Sequence, residues 1–239
     1  MSLMCAAVLK EVHRTITALL PCNLRGPGDR PRLLDVGCWD GSATVEYARR
    51  IKAEAYGIEI FEEQARAAGD RGVKVARLDL EIENFPWEPN TFDVVVANKV
   101  LEHLKNVWLP MSEIYRVLRP GGHAVLAVPN LASLHNRVML ALGMQPTSIR
   151  TFGPHVRGFT MAEFRRLVEY GGAFRVTEAR GVGFYPFPAV LARLPARLFP
   201  GGSHTVLLIV EKTAEAPGPW LCYLQEQRRD GIATYFQRP

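Results

Sequence analysis

Asp35, Glu59, Asp79 and Asn98 end short apolar runs, and Asp35 opens the turn Asp35-Val36-Gly37-Cys38-Trp39-Asp40-Gly41. Carboxylates and an amide carbonyl accept hydrogen bonds, so gathering them at one edge makes a site for hydroxyls, an amine or a cationic centre. Any one of them alone is an ordinary solvated strand end. The turn itself has a second property. A short strand, 32–36, passes through it directly into a helical pattern, 42–51, which brings backbone N–H groups and a helix N-terminus close together. Glycine there lets a ligand approach without a Cβ in the way. Asp35 and Asp40 flank the turn, which suits an anionic pyrophosphate poorly.

The elements that must position these residues follow from periodicity. After 32–36 and 42–51, strand patterns are expected at 54–60, 73–78, 92–97 and 123–128, with helical patterns at 61–69 and 107–118 between them. Residues 92–97, Phe-Asp-Val-Val-Val-Ala, form a nearly continuous apolar run, as in a strand covered on both faces. This alternation implies right-handed crossovers and a doubly wound α/β sheet, mostly parallel, with ligands at the carboxyl ends of its strands. An amphipathic helix at 3–20 precedes it, with Val8, Leu9, Val12, Ile16, Leu19 and Leu20 on one side; Pro21 and the Arg25-Gly26-Pro27-Gly28 segment end it.

The chain of 239 residues is 48% hydrophobic, enough for one domain with a full core, or one domain plus a small lid. It contains no run of 18 apolar residues and no signal-peptide pattern, so a soluble, cytoplasmic protein without a transmembrane segment is expected. Cys5, Cys22, Cys38 and Cys222 are scattered, which argues against a zinc cluster and a disulfide framework. The net charge is +5, but the arginines are interspersed with acids, and no dedicated nucleic-acid surface is expected.

Taken together, residues 32–212 resemble the class I S-adenosylmethionine-dependent methyltransferases. Asp35 to Gly41 resembles the family's first motif, Glu59 its acid after the second strand, and Asp79-Leu80 its adenine position. Asn98-Lys99-Val100-Leu101-Glu102-His103-Leu104 resembles its fourth-strand motif, and Arg119-Pro120-Gly121-Gly122 the loop before its fifth strand. A dinucleotide dehydrogenase shares the glycine turn and the acid, but not this middle of the chain. The resemblance implies a seven-stranded Rossmann-like sheet with helices on both faces and an antiparallel last strand, from strands at 174–181 and 205–212. It also implies S-adenosylmethionine as cofactor, held by Asp35, Gly37, Cys38, Trp39, Gly41, Glu59, Ile60, Asp79, Leu80, Asn98 and Val100. Trp39 stands where the family usually has glycine. Either its backbone has a negative φ and the indole points to solvent or onto the N-terminal helix, or the indole forms a pocket wall.

The implied function is methyl transfer to a small-molecule acceptor, an oxygen or nitrogen nucleophile, by a protein resembling the MetW-like and ubiquinone-type group. A non-catalytic methyltransferase-like binding or partner subunit is the alternative. His103 is the candidate general base, because an imidazole titrates near neutral pH. His155, in Phe152-Gly153-Pro154-His155-Val156-Arg157-Gly158-Phe159-Thr160, is the second candidate, near the substrate entrance with Arg157. Thr160 and Glu163 form a capping box for the helix that follows. Some ubiquinone-pathway enzymes resembling the fourth-strand motif add a Glu three residues before its first acid. Here that position is Lys99, a cation where a metal needs a ligand, so no metal is expected.

The expected organisation is an N-terminal helix and linker at 1–30, a methyltransferase domain at 31–213 with a lid insertion around 130–170, and a tail at 214–239. Residues 184–199 are a long packed connection, an extension of the lid, or a membrane contact. Trp220, Leu221, Tyr223, Leu224, Tyr235 and Phe236 make the tail too apolar to be free, so it packs on the domain or on a second subunit, as in a homodimer.

Overall fold

The fold was analysed in a computed structural model that describes residues 3–21, 24, 30–213 and 220. Helix α1 (Leu3–Leu19) is followed by β1 (Arg32–Val36), α2 (Ser42–Ile51), β2 (Glu54–Ile58), α3 (Glu62–Asp70) and β3 (Lys74–Ala76). Next come β4 (Phe92–Asn98), α4 (Trp108–Val117), β5 (Leu118–Pro129), α5 (Leu134–Ala141) and α6 (Met161–Val168). The order closes with β6 (Phe174–Val182), α7 (Ala189–Leu198) and β7 (Thr205–Lys212). No described helix is long and apolar enough to cross a membrane.

The seven strands lie in the order β3-β2-β1-β4-β5-β7-β6. β1 pairs in parallel with both β2 and β4, and β7 runs antiparallel between β5 and β6. The chain leaves β1 toward one edge through β2 and β3, then crosses back to lay β4 on the other side. That reversal opens a crevice at the carboxyl ends of β1 and β4, the place where open α/β sheets bind ligands.

Alternation along the central strands divides the core between the two faces. Leu33, Val94 and Val96 pack with Val12 and Ile16 of α1 and Tyr47 of α2. Leu34, Val36, Val95 and Ala97 face the other way, toward Met111 and Ile114 of α4 and Phe164 of α6. The expected stripe on α1 is present, with Val8, Val12, Ile16 and Leu20 all buried.

Three boundaries differ from the sequence reading, each for a local reason. β2 stops at Ile58, because Glu59 turns inward to receive backbone N–H groups. β3 is only three residues long, since as an edge strand it pairs solely with Tyr56, Gly57 and Ile58. β5 begins at Leu118, before the Pro-Gly-Gly segment rather than after it. Phe92 pairs with Leu118 and Val94 with His123, so 119–122 bulge out of the ladder, with Gly121 at φ 70°.

The segment between β5 and β6 carries α5, whose Leu134, Val138 and Leu140 are exposed, and α6, whose Phe164 and Val168 are buried. The capping box forms as expected, with the Glu163 backbone N–H donating to Thr160 Oγ1 at 3.2 Å. Trp220 is buried beside Phe174 and Tyr115 and donates its indole N–H to the Leu167 carbonyl at 2.7 Å. The other apolar tail residues, and the expected linker at 25–28, lie outside the described residues.

Candidate functional site

At the carboxyl end of β1, Gly37 adopts φ 75°, and the N–H groups of Gly37 and Cys38 both donate to the Ile58 carbonyl at 2.9 Å. A Cβ on Gly37 would stand 3.0 Å from Val100 Cγ2, so this glycine admits the chain that leaves β4. Gly41 also has φ 75°, and a Cβ there would come within 2.8 Å of Ala68 Cβ and 2.9 Å of its Cα; it lets α3 approach rather than a ligand. Cys38 turns its thiol into the sheet beside Ala68 and Val73, and burial pushes that thiol far above the usual range. Leu80 is likewise buried in the core.

Trp39 departs from the expectation of a negative φ. Its φ is 50°, in the left-handed region that costs a non-glycine residue roughly 1–2 kcal/mol. The indole is 56% exposed and meets Phe61 edge to face, with ring centres 6.1 Å apart. Together with exposed Ile60, Phe61 and Ile82 it supplies apolar surface next to the strand ends.

The strain at Trp39 is tied to Glu59. Glu59 is buried, and its Oε2 accepts from the Trp39 N–H at 2.9 Å while Oε1 accepts from the Phe61 N–H at 3.0 Å. Each carboxylate oxygen has a further lone pair, so the side chain is held in one place and can still receive hydroxyl donors. Asp79 Oδ1 accepts from the Glu81 N–H at 2.9 Å, an Asx turn that leaves Oδ2 available. Asp35 lies deeper, bonded by Thr44 Oγ1 at 2.6 Å. Burial pushes its carboxyl up to about 7, with the Thr44 bond opposing and the Glu59 charge adding. Asn98 Oδ1 is buried near the Tyr47 hydroxyl, yet neither closes a hydrogen bond. This edge therefore presents acceptors, one of them unsatisfied, beside apolar surface. Such a lining fits the adenosine hydroxyls and amine, and the cationic centre, of the cofactor that the resemblance implies, and it disfavours an anion.

The second half of the site begins immediately after Val100, where a 3₁₀ turn spans Leu101–His103. The structure brings both expected histidines together here: the rings of His103 and His155 are 4.8 Å apart and edge to face. Each presents Nδ1 to a backbone carbonyl, His103 to Pro154 at 3.2 Å and His155 to Ser148 at 2.7 Å. Burial lowers His103, the Pro154 carbonyl opposes, and the neighbouring His155 lowers it further.

Between them sits Glu102, the first acid of the fourth-strand motif, which the sequence offered as a metal ligand with His103 only if a further acid stood at position 99. Glu102 is 1% exposed, and neither of its carboxylate oxygens receives a hydrogen bond. Burial pushes it up to about 7, against its own backbone amide and the Lys99 charge. The motif marked Glu102 beside His103, but its burial depends on the loop at 152–158 folding over it. That loop is fastened by Val156 and Arg157, whose N–H groups donate to the Glu102 carbonyl at 2.9 and 3.1 Å. Arg157 also holds the loop through its side chain. Its guanidinium donates to the Leu104 and Lys105 carbonyls and stacks 4.5 Å from the Trp108 ring centre.

Comparison with known proteins bears on the whole edge. Residues 34–126 match a family model described as a methyltransferase domain. The chain is 34% identical over 143 residues to 27-O-demethylrifamycin SV methyltransferase of Amycolatopsis mediterranei, a match covering 54% of this chain and 51% of that protein. It is 32% identical over 191 residues to a probable S-adenosylmethionine-dependent methyltransferase of Mycolicibacterium smegmatis, covering 77% of this chain and 66% of that one. The chain thus spans between about half and two thirds of the length of these relatives. Among solved structures it resembles a possible histamine N-methyltransferase of Thermotoga maritima, with a TM-score of 0.62 and 22% identity over 87% of this chain and 90% of that one. At that identity the likeness shows the fold.

Proposed function

This chain belongs to the class I S-adenosylmethionine-dependent methyltransferases, whose cofactor is S-adenosylmethionine, and we propose that it transfers the cofactor's methyl group to a small molecule through an oxygen or nitrogen atom. The observation that carries the reading is the set of acceptor oxygens in the crevice, from Glu59, Asp79 and Asn98 Oδ1, beside the Gly37 turn at the point where the strand order reverses. When bound, S-adenosylmethionine supplies a methyl group on a cationic sulfur, already activated toward a nucleophile.

The chain's own residues then have positional work. Glu59 accepts from the ribose hydroxyls, a charge-assisted bond from a side chain already fixed by two backbone N–H groups. Asp79 Oδ2 accepts from the adenine amine, Trp39, Ile60 and Phe61 shield the base from water, and Asn98 Oδ1 receives a donor from the cofactor's amino-acid end. His103 and His155 face the acceptor, and alignment of nucleophile and methyl can supply roughly 7–11 kcal/mol of the barrier. The related rifamycin enzyme is named for a hydroxyl-derived position, which supports an oxygen acceptor here.

The test is to incubate the protein with S-adenosylmethionine and panels of small phenols, alcohols and amines, and to measure S-adenosylhomocysteine released. Release that depends on a hydroxylated acceptor, and falls at least tenfold in His103→Ala, is the expected outcome. Tight cofactor binding with no release across all panels would instead favour a non-catalytic binding subunit.

A further inference from the structure

We propose that Glu102, His103 and His155 form a binding site for one divalent transition-metal ion of the zinc class. The donor atoms, one from each side chain, all lie within 4.8 Å of one another. A carbonyl oxygen can only accept, so the Pro154 and Ser148 carbonyls fix the hydrogen of each neutral imidazole on Nδ1. Each Nε2 is then left with a bare lone pair. Both Nε2 atoms stand 4.0 Å from Glu102 Oε1, too far for a direct hydrogen bond and with no hydrogen to share. Three lone-pair donors therefore converge on one point with no positive charge between them.

Glu102 strengthens the argument independently. It is 1% exposed with both oxygens unpaired, a costly placement for a carboxylate unless a cation meets it. A backbone carbonyl holding the far nitrogen of a ligating histidine is the usual outer support of a metal site. Two imidazoles and one carboxylate select zinc, cobalt or iron over magnesium or calcium, which prefer oxygen throughout. Bonds of about 2.0–2.1 Å in a tetrahedron put ligand atoms about 3.3–3.4 Å apart. The 4.0 Å from each Nε2 to Oε1 must close by about 0.6 Å, and the widest donor separation, up to 4.8 Å, by about 1.4 Å, movements that side-chain rotations supply.

The cation at position 99 was the reason to expect no metal, but the third ligand comes from the loop carrying His155 instead. Lys99 acts on Glu102 in the direction of keeping it ionised, the form that ligates. A fourth position would remain open for an oxygen of the methyl acceptor; this role, though not the site, rests on the proposed function.

The experiment uses the full chain, stripped with a chelator and titrated with Co²⁺ as an optical probe, then with Zn²⁺ in competition. One Co²⁺ per chain is expected, with visible bands that Zn²⁺ abolishes. Affinity should fall at least tenfold in both Glu102→Gln and His155→Ala. His155, 24% exposed against 2% for the Glu102 side chain, makes the second variant the safer one for folding, checked by an unchanged thermal midpoint in chelator. Absence of bound Co²⁺, or binding that His155→Ala leaves intact, overturns the site. S-adenosylmethionine titration of the same samples separates the two readings. Cofactor binding without Co²⁺ binding removes the metal alone, whereas Co²⁺ binding without cofactor binding keeps the metal and removes the methyltransferase reading.

Discussion

Glu59 and Glu102 are both buried carboxylates at the carboxyl edge of one sheet, and they are held in opposite ways. Glu59 spends one lone pair of each oxygen on the N–H groups of Trp39 and Phe61. Neither carboxylate oxygen of Glu102 receives a hydrogen bond. A carboxylate paired with its own backbone is part of the scaffold, and it presents its remaining lone pairs in a fixed direction. A buried carboxylate left bare is unfinished, and its energy is settled only when a cation or a donor arrives. The edge around Glu59 is thus built by the fold, and the cluster around Glu102 is completed by what binds.

The comparison can be broken most severely at the scaffold. Gly41→Ala combines φ 75° with a Cβ 2.8 Å from Ala68. Strain of about 1–3 kcal/mol from the backbone adds to about 1–3 kcal/mol from overpacking. Urea denaturation should show the loss, and a fully stable variant would mean that α3 does not lean on this turn.

Asp35→Asn probes the layer beneath Glu59. Below pH 4, Asp35 is protonated in folded and unfolded chains alike, and its burial carries no electrostatic penalty. Between its ordinary value of 3.8 and the folded value of about 7, the unfolded chain ionises and the folded one does not, so stability falls as pH rises and the loss is complete above 7. Asparagine can still accept from Thr44 and does not titrate. Between pH 4 and 8 the unsubstituted protein should lose on the order of 3 kcal/mol that Asp35→Asn keeps, measured as the difference between the two pH profiles of unfolding free energy.

A paired substitution sharpens the contrast at smaller scale. Glu59→Gln turns an NH₂ group against one of two backbone N–H donors and should destabilise by about 1–3 kcal/mol. Glu102→Gln, in metal-free protein, loses no hydrogen bond and should leave stability unchanged or improved. Equal losses in the two thermal midpoints would erase the distinction.

Contiguity decided what could be read from the sequence. The glycine turn, the apolar run of β4 and the Thr160 cap are short-range patterns, and each lies where its residues predict. The sign of φ at Trp39 was not legible, because it is imposed by Glu59, 20 residues away, drawing the Trp39 N–H inward. The meeting of His103 with His155 depends on a loop tied to the Glu102 carbonyl by backbone bonds, which carry no side-chain signature. The burial of Glu102 likewise depends on that loop covering it.

The claim on which the rest depends is that the edge around Glu59 holds S-adenosylmethionine. Calorimetric titration of the purified chain with S-adenosylmethionine, beside a Glu59→Gln variant shown to be folded by circular dichroism, tests it most directly. The account predicts one site per chain with micromolar affinity, weakened by about 1–3 kcal/mol in the variant, the cost of losing charge-assisted bonds. No binding by the folded protein, or binding that the variant does not weaken, would contradict it.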